Sequence, residues 1–236
     1  MRPTGPASET HHGVEAPKHG FQGDRGRRPP PTTMPAGLTV AVSREAGARG
    51  GTIARRVGKK LGWQVYSQET LEYISQEGAL RDNLFANLPA NAPAWVEERL
   101  QQLLADNQLS GDAVVTGLAR IILAVSAPGE AVLLGRGAGC VLPAESTLHV
   151  RIVAPLGDRI AYMSQWMRLT MAEAAEQVKL RDHNRAQFIQ THFHRQPGDI
   201  YQYDLVLNST LLGEDACTEL IVQAARAKQK CLIERT

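Results

Sequence analysis

Short apolar or β-branched runs recur along this chain with helical patterns between them, and that alternation limits its fold more than any other feature. The runs are 38–43 LTVAVS, 64–66 QVY, 131–135 AVLLG, 148–154 LHVRIVA and 203–208 YDLVLN. They are mostly apolar rather than alternating, which suits strands of a parallel sheet covered on both faces. Between them, Ile53, Val57 and Leu61 fall on one helical face in 52–61. Val96, Leu100, Leu103 and Leu104 do so in 94–106, and Val114, Leu118, Ile121, Ile122 and Val125 in 112–126. Further helices are expected at 69–77, 157–168, 171–193 and 213–229. Gly62 ends the first helix, Ser110-Gly111-Asp112 opens a later one and Pro128-Gly129 stops it. The pattern predicts an α/β three-layer domain with right-handed crossovers and no internal repeat.

The first 36 residues differ from the rest. They are rich in Pro, Gly, Thr and Arg, and their large apolar side chains are Val14, Phe21 and Met34. Such a stretch buries too little surface to offset its ordering entropy, so 1–36 is expected to be a disordered extension and 37–236 the folded domain. The extension lacks the apolar core of a secretory signal, and Glu9, Glu15 and Asp24 argue against a transit peptide. Met34, just before the first strand, is a second candidate for the start of translation. The extension holds five of the 26 Lys and Arg and three of the 24 Asp and Glu, so the remainder is neutral overall. A general nucleic-acid binder usually shows a basic excess, so nucleic acid is not an expected partner. No run nears the roughly 18 apolar residues of a membrane-spanning helix. Cys140, Cys217 and Cys231 form no C-x-x-C pair, which favours a reduced, cytoplasmic setting. The histidines at 11–12 and 192–194 have no nearby partners of the metal-binding kind.

Between the first run and the first helix stands SREAGARGGT, residues 43–52. Gly47, Gly50 and Gly51 permit a backbone in which successive N–H groups converge on one point. The helix that follows offers unpaired N–H groups and a positive dipole end to an anion. Thr52 could hold a magnesium ion through its hydroxyl, and Arg44 and Arg49 bring permanent charge. The usual phosphate loop, G-x-x-x-x-G-K-[ST], has a lysine where this chain reads Gly50-Gly51-Thr52. On spacing alone, a phosphate loop and an incidental turn both remain open.

Other stretches bear on the choice. The second run leads into VYSQETL, the third ends in LLGRGAGCVL, the fourth is followed by APLGDRI, and RDHNRA precedes YDLVLNS. In this order, from about residue 38 to 226, the ensemble resembles the cytidylate kinase-like family of nucleoside monophosphate kinase relatives. That family's first loop reads S-R-E-[aromatic]-G-S-G-G and likewise lacks the lysine. The resemblance implies a five-stranded parallel sheet in the order 2-3-1-4-5. ATP phosphates would lie on the first loop, on Arg44, Gly47, Ala48, Arg49, Gly50, Gly51 and Thr52, with Mg2+ at Thr52. A helical insert at about 80–127 would face the acceptor, and a lid at about 171–199 would close over both nucleotides.

Phosphoryl transfer asks for alignment and charge neutralisation, which the planar, always-charged guanidinium supplies. Arg181 and Arg185, four apart and so on one helical face, are by resemblance the lid arginines that meet the transferred group. Arg136 lies just past a strand's carboxyl end, where open α/β sheets bind ligands. By resemblance it grips the acceptor monophosphate, with Gly135 and Gly137 leaving room, and Glu69 and Tyr66 nearby. Arg49 stands where the family has a small residue; it either supplies the lysine's charge as a catalytic group or points into solvent. Departures from the family pattern are Ala46 for the aromatic and Tyr66-Ser67-Gln68-Glu69 for Y-D-[RK]-E, and the latter bears on cytidine specificity. Glu69 also has a structural explanation as a first-turn acid of a helix. Trp63, Trp95 and Trp166 are expected in the core or between helices.

The leading expectation is transfer of the γ-phosphoryl of ATP to a (d)CMP-like monophosphate, a small-molecule nucleotide partner. Beside it stand a nucleotide sensor without catalysis and a kinase for a non-nucleotide acceptor.

Overall fold

The computed structural model describes residues 37–234. The 1–36 extension and Met34 therefore lie outside the described residues. Strands β1 (Thr39–Arg44), β2 (Gln64–Tyr66), β3 (Ala131–Leu134), β4 (Thr147–Val153) and β5 (Leu205–Asn208) form one parallel sheet in the order β2-β3-β1-β4-β5. The order 2-3-1-4-5 is the one expected. In the register, Val42 lies level with Leu134 on one side and Val150 on the other. The carboxyl ends of β1 and β3 thus finish side by side. A ligand at that edge meets residues from two loops at once.

Period-two alternation divides the strands between two cores. Val40, Val42, Val132, Leu148, Val150 and Ile152 face α1 (Gly50–Leu61) and α9 (Ser209–Ile233), whose Ile53, Val57, Ile221 and Val222 complete that layer. Ala41, Ala131 and Leu133 face the other way. They are covered by α2 (Gln68–Gln76), α4 (Ala92–Ala105), α5 (Ala113–Ser126) and α6 (Ala138–Val141). A third cluster, Ala46, Met163, Ala174 and Val178, joins the loop after β1 to α7 (Leu156–Met167) and α8 (Met171–Phe193). Helix α8 starts with a full capping box between Thr170 and Glu173. Among the described residues no helix is long and apolar enough to cross a membrane.

Several expectations need correction. Helix α3 (Gly78–Ala86) falls at the start of the expected 80–127 insert but has no boundary of its own in the sequence, because none of its residues is fully buried and only Leu84 and Phe85 pack partly on the core. Helix α9 begins at Ser209, four residues before the expected start. Asn208 caps it through its side chain, and Gly213 (φ 76°, ψ 163°) breaks its first turns. Trp63 and Trp95 are buried, but Trp166 is 64% exposed and belongs to no core. Ser67, one of the departures from Y-D-[RK]-E, has a local role: its hydroxyl accepts the Thr70 amide and caps α2.

Candidate active site

The chain leaves β1 at Arg44 and enters α1 at Gly50. Gly47 has φ +80°, and a Cβ there would lie 2.5 Å from the Arg159 carbonyl oxygen, so only glycine fits. The loop's carbonyls are held from behind. Ala46 O accepts from Arg159 Nη1 at 3.2 Å and Ala48 O from Ser209 Oγ at 2.9 Å. Two amides are spoken for, Ala46 N–H by Asp182 Oδ1 (2.7 Å) and Ala48 N–H by Glu45 O (3.3 Å). Those of Gly47, Arg49, Gly50 and Gly51 donate to nothing among the described residues. Helix α1 has no side-chain cap and no acid in its first turn. Open N–H groups and an uncompensated helix dipole together make this end a receptor for an anion.

Arg159 fixes the loop. This nearly buried side chain donates to Ala154 O (3.0 Å), Ala46 O and Asp182 Oδ2, and lies 3.5 Å from Glu45 Oε2. The same Glu45 oxygen accepts the Ala154 amide at 3.2 Å. With every charge answered, this network is structural. It binds β1, β4, α7 and α8 around the turn.

Beside the loop, a cavity of about 700 Å³ opens over the carboxyl ends of β1 and β3 and runs under α8. Arg44, Arg136, Arg151, Arg181 and Arg185 line it, against Glu45, Glu69 and Asp182. Gly139, Cys140, His149 and Tyr203 line it too. Burial holds the His149 pKa down at about 4, so its ring is neutral at pH 7. Arg185 Nη1 reaches the Arg44 carbonyl at 3.5 Å and lies 3.9 Å from Asp182; burial lowers its pKa, with Asp182 opposing. Arg181 touches the Met167 sulfur at 3.8 Å. Arg136, at φ 52°, pairs with Glu72 and lies over the Phe188 ring.

Arg44 is different. Burial first, then the nearby Arg185, brings its pKa down to about 10, and no carboxylate among the described residues lies within ion-pair distance of it. Glu69 faces it at longer range; its own backbone N–H and Ser67 hold the Glu69 carboxyl below its ordinary value.

Not every candidate joins this cluster. The Arg49 guanidinium turns outward, 3.5 Å from Glu214 and over the Tyr162 ring, so of the two options read from the sequence it takes the one away from the cavity. Tyr66 packs against the core below α2, where burial raises its pKa, and does not line the cavity. Gly137 lines the cavity, but a side chain on it would strike the Phe193 ring. The room at Gly135 is filled in the same way by the Arg44 guanidinium. Thr52 sits half-buried in the first turn of α1, its hydroxyl without a partner among the described residues. Among those residues no cluster of three His, Cys, Asp or Glu could hold a metal by itself.

Sequence reasoning missed Arg151 and Asp182 as site residues. Arg151 donates to Ser43 Oγ at 3.0 Å and stands over Tyr203. Its signal was a lone charge within the apolar run LHVRIVA, level with Ser43 in the register of β1 and β4.

A parallel sheet with a glycine turn after its first strand and an arginine-lined cavity beside it defines a kinase-type phosphotransfer fold. The family model that describes the cytidylate kinase-like family matches residues 39–211, and the chain belongs to that family. An uncharacterized protein from Eubacterium ventriosum shares the fold, with a TM-score of 0.57 and 17% identity over 80% of this chain and 98% of that one. A shikimate kinase from Bacteroides thetaiotaomicron superposes more loosely, with a TM-score of 0.44 and 12% identity over 80% of this chain and 98% of its own. A uronate isomerase from Corynebacterium glutamicum is 35% identical over 109 residues, 46% of this chain. The match covers 21% of that isomerase, so the chain spans about a fifth of the length of this curated relative. Family and fold support nucleotide binding and phosphoryl transfer of the kinase type.

Proposed function

We propose that the protein transfers the γ-phosphoryl group of ATP to a nucleoside monophosphate, with (d)CMP the first acceptor to try. The observation that carries this reading is the pairing of four open loop amides with an arginine-lined cavity at one sheet edge. The amides of Gly47, Arg49, Gly50 and Gly51 take the donor's phosphates, and the cavity takes the acceptor. The donor set fits a polyphosphate: four open N–H groups with arginines beside them outweigh the carboxylates of Glu45, Glu69 and Asp182. Magnesium would come with the nucleotide, Thr52 would be the protein's own oxygen for it, and the ion would draw off charge from the phosphate groups. Arg181 and Arg185, on the cavity face of α8, neutralise charge on the moving group, and the stretch 171–199 serves as lid. Arg136 and Glu69 stand on the acceptor side with the helices of the 80–127 insert.

The test is a coupled ADP-release assay over a panel of nucleoside monophosphates. Turnover well above background is expected with a pyrimidine monophosphate, and Arg185→Ala should lower kcat by roughly 10³-fold. Background rates with every acceptor refute the reading. A non-catalytic nucleotide-binding role is favoured by one observation, the engagement of Arg136 by Glu72. Calorimetry separates the two: a sensor holds ATP without consuming it.

A further inference from the structure

In the usual phosphate loop, G-x-x-x-x-G-K-[ST], the first glycine and the lysine stand six positions apart. With Gly50 set at the lysine's place, which puts Gly51 at the hydroxyl residue's and Thr52 one position beyond, Arg44 stands where the first glycine would be, so the two residue types are exchanged. The exchange has a steric meaning. A Cβ placed on Gly50 would lie 2.6 Å from Arg44 Cβ and 3.0 Å from its Cγ. The two side chains would run through one space, so only one of the two positions can carry a long side chain. The Arg44 stem crosses over Gly50, and its guanidinium then lies across Gly135, where a Cβ would stand 3.1 Å from Cζ and closer still to Nη1. Gly135 has φ +80° and also excludes a side chain. Two glycines therefore seat one arginine.

We infer that Arg44 supplies the positive charge that a lysine gives elsewhere, and that Gly50 lacks a side chain because Arg44 occupies the lysine's path. Charge accounting among the described residues supports this. Arg136 pairs with Glu72, Arg151 and Arg159 approach Glu45, and Arg185 approaches Asp182. Arg44 has no partner at ion-pair distance: Arg185 and Arg136 crowd it, and Glu69 opposes them only at longer range. A largely buried charge without a close counter-ion is costly, and a polyphosphate on the adjoining amides supplies one. The other cations of the loop are poorer candidates. Arg49 is committed to Glu214 and Tyr162, and Arg55, exposed on α1, comes within 3.8 Å only of the place a Cβ on Gly51 would take. The ligand class, a nucleoside triphosphate, rests on the proposed kinase function; the claim about Arg44 concerns its triphosphate end.

The probe is inorganic tripolyphosphate with Mg2+, titrated calorimetrically into the full chain, with ATP alongside. The wild type should bind both. Arg44→Met keeps the stem over Gly50, removes the charge, and should weaken binding by roughly 10- to 100-fold, as loss of a charge-assisted hydrogen bond does. Gly50→Lys should destabilise the fold without tightening binding. In the double variant Arg44→Gly with Gly50→Lys the path is free again, because glycine removes the Cβ that would meet a side chain on residue 50, and most of the affinity should return. A purely structural Arg44 would not be rescued in that way. The inference is overturned if Arg44→Met binds like wild type, if the folded double variant binds no better than Arg44→Gly, or if Arg55→Ala alone abolishes binding. A wild type that binds neither tripolyphosphate nor ATP overturns the kinase reading itself, and this inference with it.

Discussion

Gly137 offers a direct test of how α8 is anchored. This residue holds φ +73°, and a Cβ on it would stand against Cε2 and Cζ of Phe193, 3.1 Å from Cδ2. Phe193, the last residue of α8, is itself buried in the core under α5 and α6. Gly137→Ala therefore adds two costs. The left-handed backbone costs a residue with a Cβ about 1–2 kcal/mol, and forcing a methyl group against a fixed aromatic ring costs about 1–3 kcal/mol more. A total of about 2–5 kcal/mol should lower Tm by roughly 5–15 °C in a domain of this size. Urea denaturation of Gly137→Ala, Phe193→Ala and the double variant separates the two parts. With the ring gone only the backbone cost remains, so Gly137→Ala should cost about 1–2 kcal/mol in the Phe193→Ala background, leaving a coupling of about 1–3 kcal/mol. A single-variant cost below about 1 kcal/mol, or equal costs in both backgrounds, would refute the claim that the glycine exists to admit the ring.

Two further predictions concern charge. His149, 7% exposed, has a folded pKa of about 4 against 6.5 for the free side chain. Below pH 6.5 the unfolded chain takes up a proton that the folded one refuses, so stability should fall between pH 6.5 and pH 4 by about 3 kcal/mol and be unaffected by this group above that window. His149→Gln should flatten the urea midpoint over that range, and an unchanged slope would contradict the assignment. Asp182 accepts from the Ala46 amide and from Arg159. Asp182→Ala should cost about 2 kcal/mol by urea denaturation, and Asp182→Asn less, because its oxygen still serves the amide. Equal losses in the two variants would place the effect in the charge alone.

The sheet, its strand order and most helices were legible because burial on one side imposes a period on the sequence. Where burial is slight the signal is weak: α3 has no fully buried residue and blurs into the 80–127 insert, and Trp166 looked like core only by residue type. For the site, spacing put Arg181 and Arg185 on one helical face, and the family resemblance brought Arg136 to the same ligand; all three line one cavity. Spacing says nothing of direction, however. Arg49 and Arg44 flank the same turn, yet one points to Glu214 and the other across Gly135. The glycines of GRGAG read as space for a ligand, whereas their open sides are filled by Arg44 and Phe193, residues 91 and 56 positions away. Such long-range fits leave no local pattern to read. Arg159 and Asp182 were missed for the same reason, since their partners belong to other elements.

Asp182 gives the molecule one more property. A single carboxylate on α8 holds down a peptide hydrogen of the phosphate turn, at Ala46. If that helix shifted enough to withdraw it, the turn would gain another free donor while Arg185 moved off the Arg44 carbonyl. Any ligand that drew on that amide would therefore be linked to the posture of the helix, each biasing the other by the same amount.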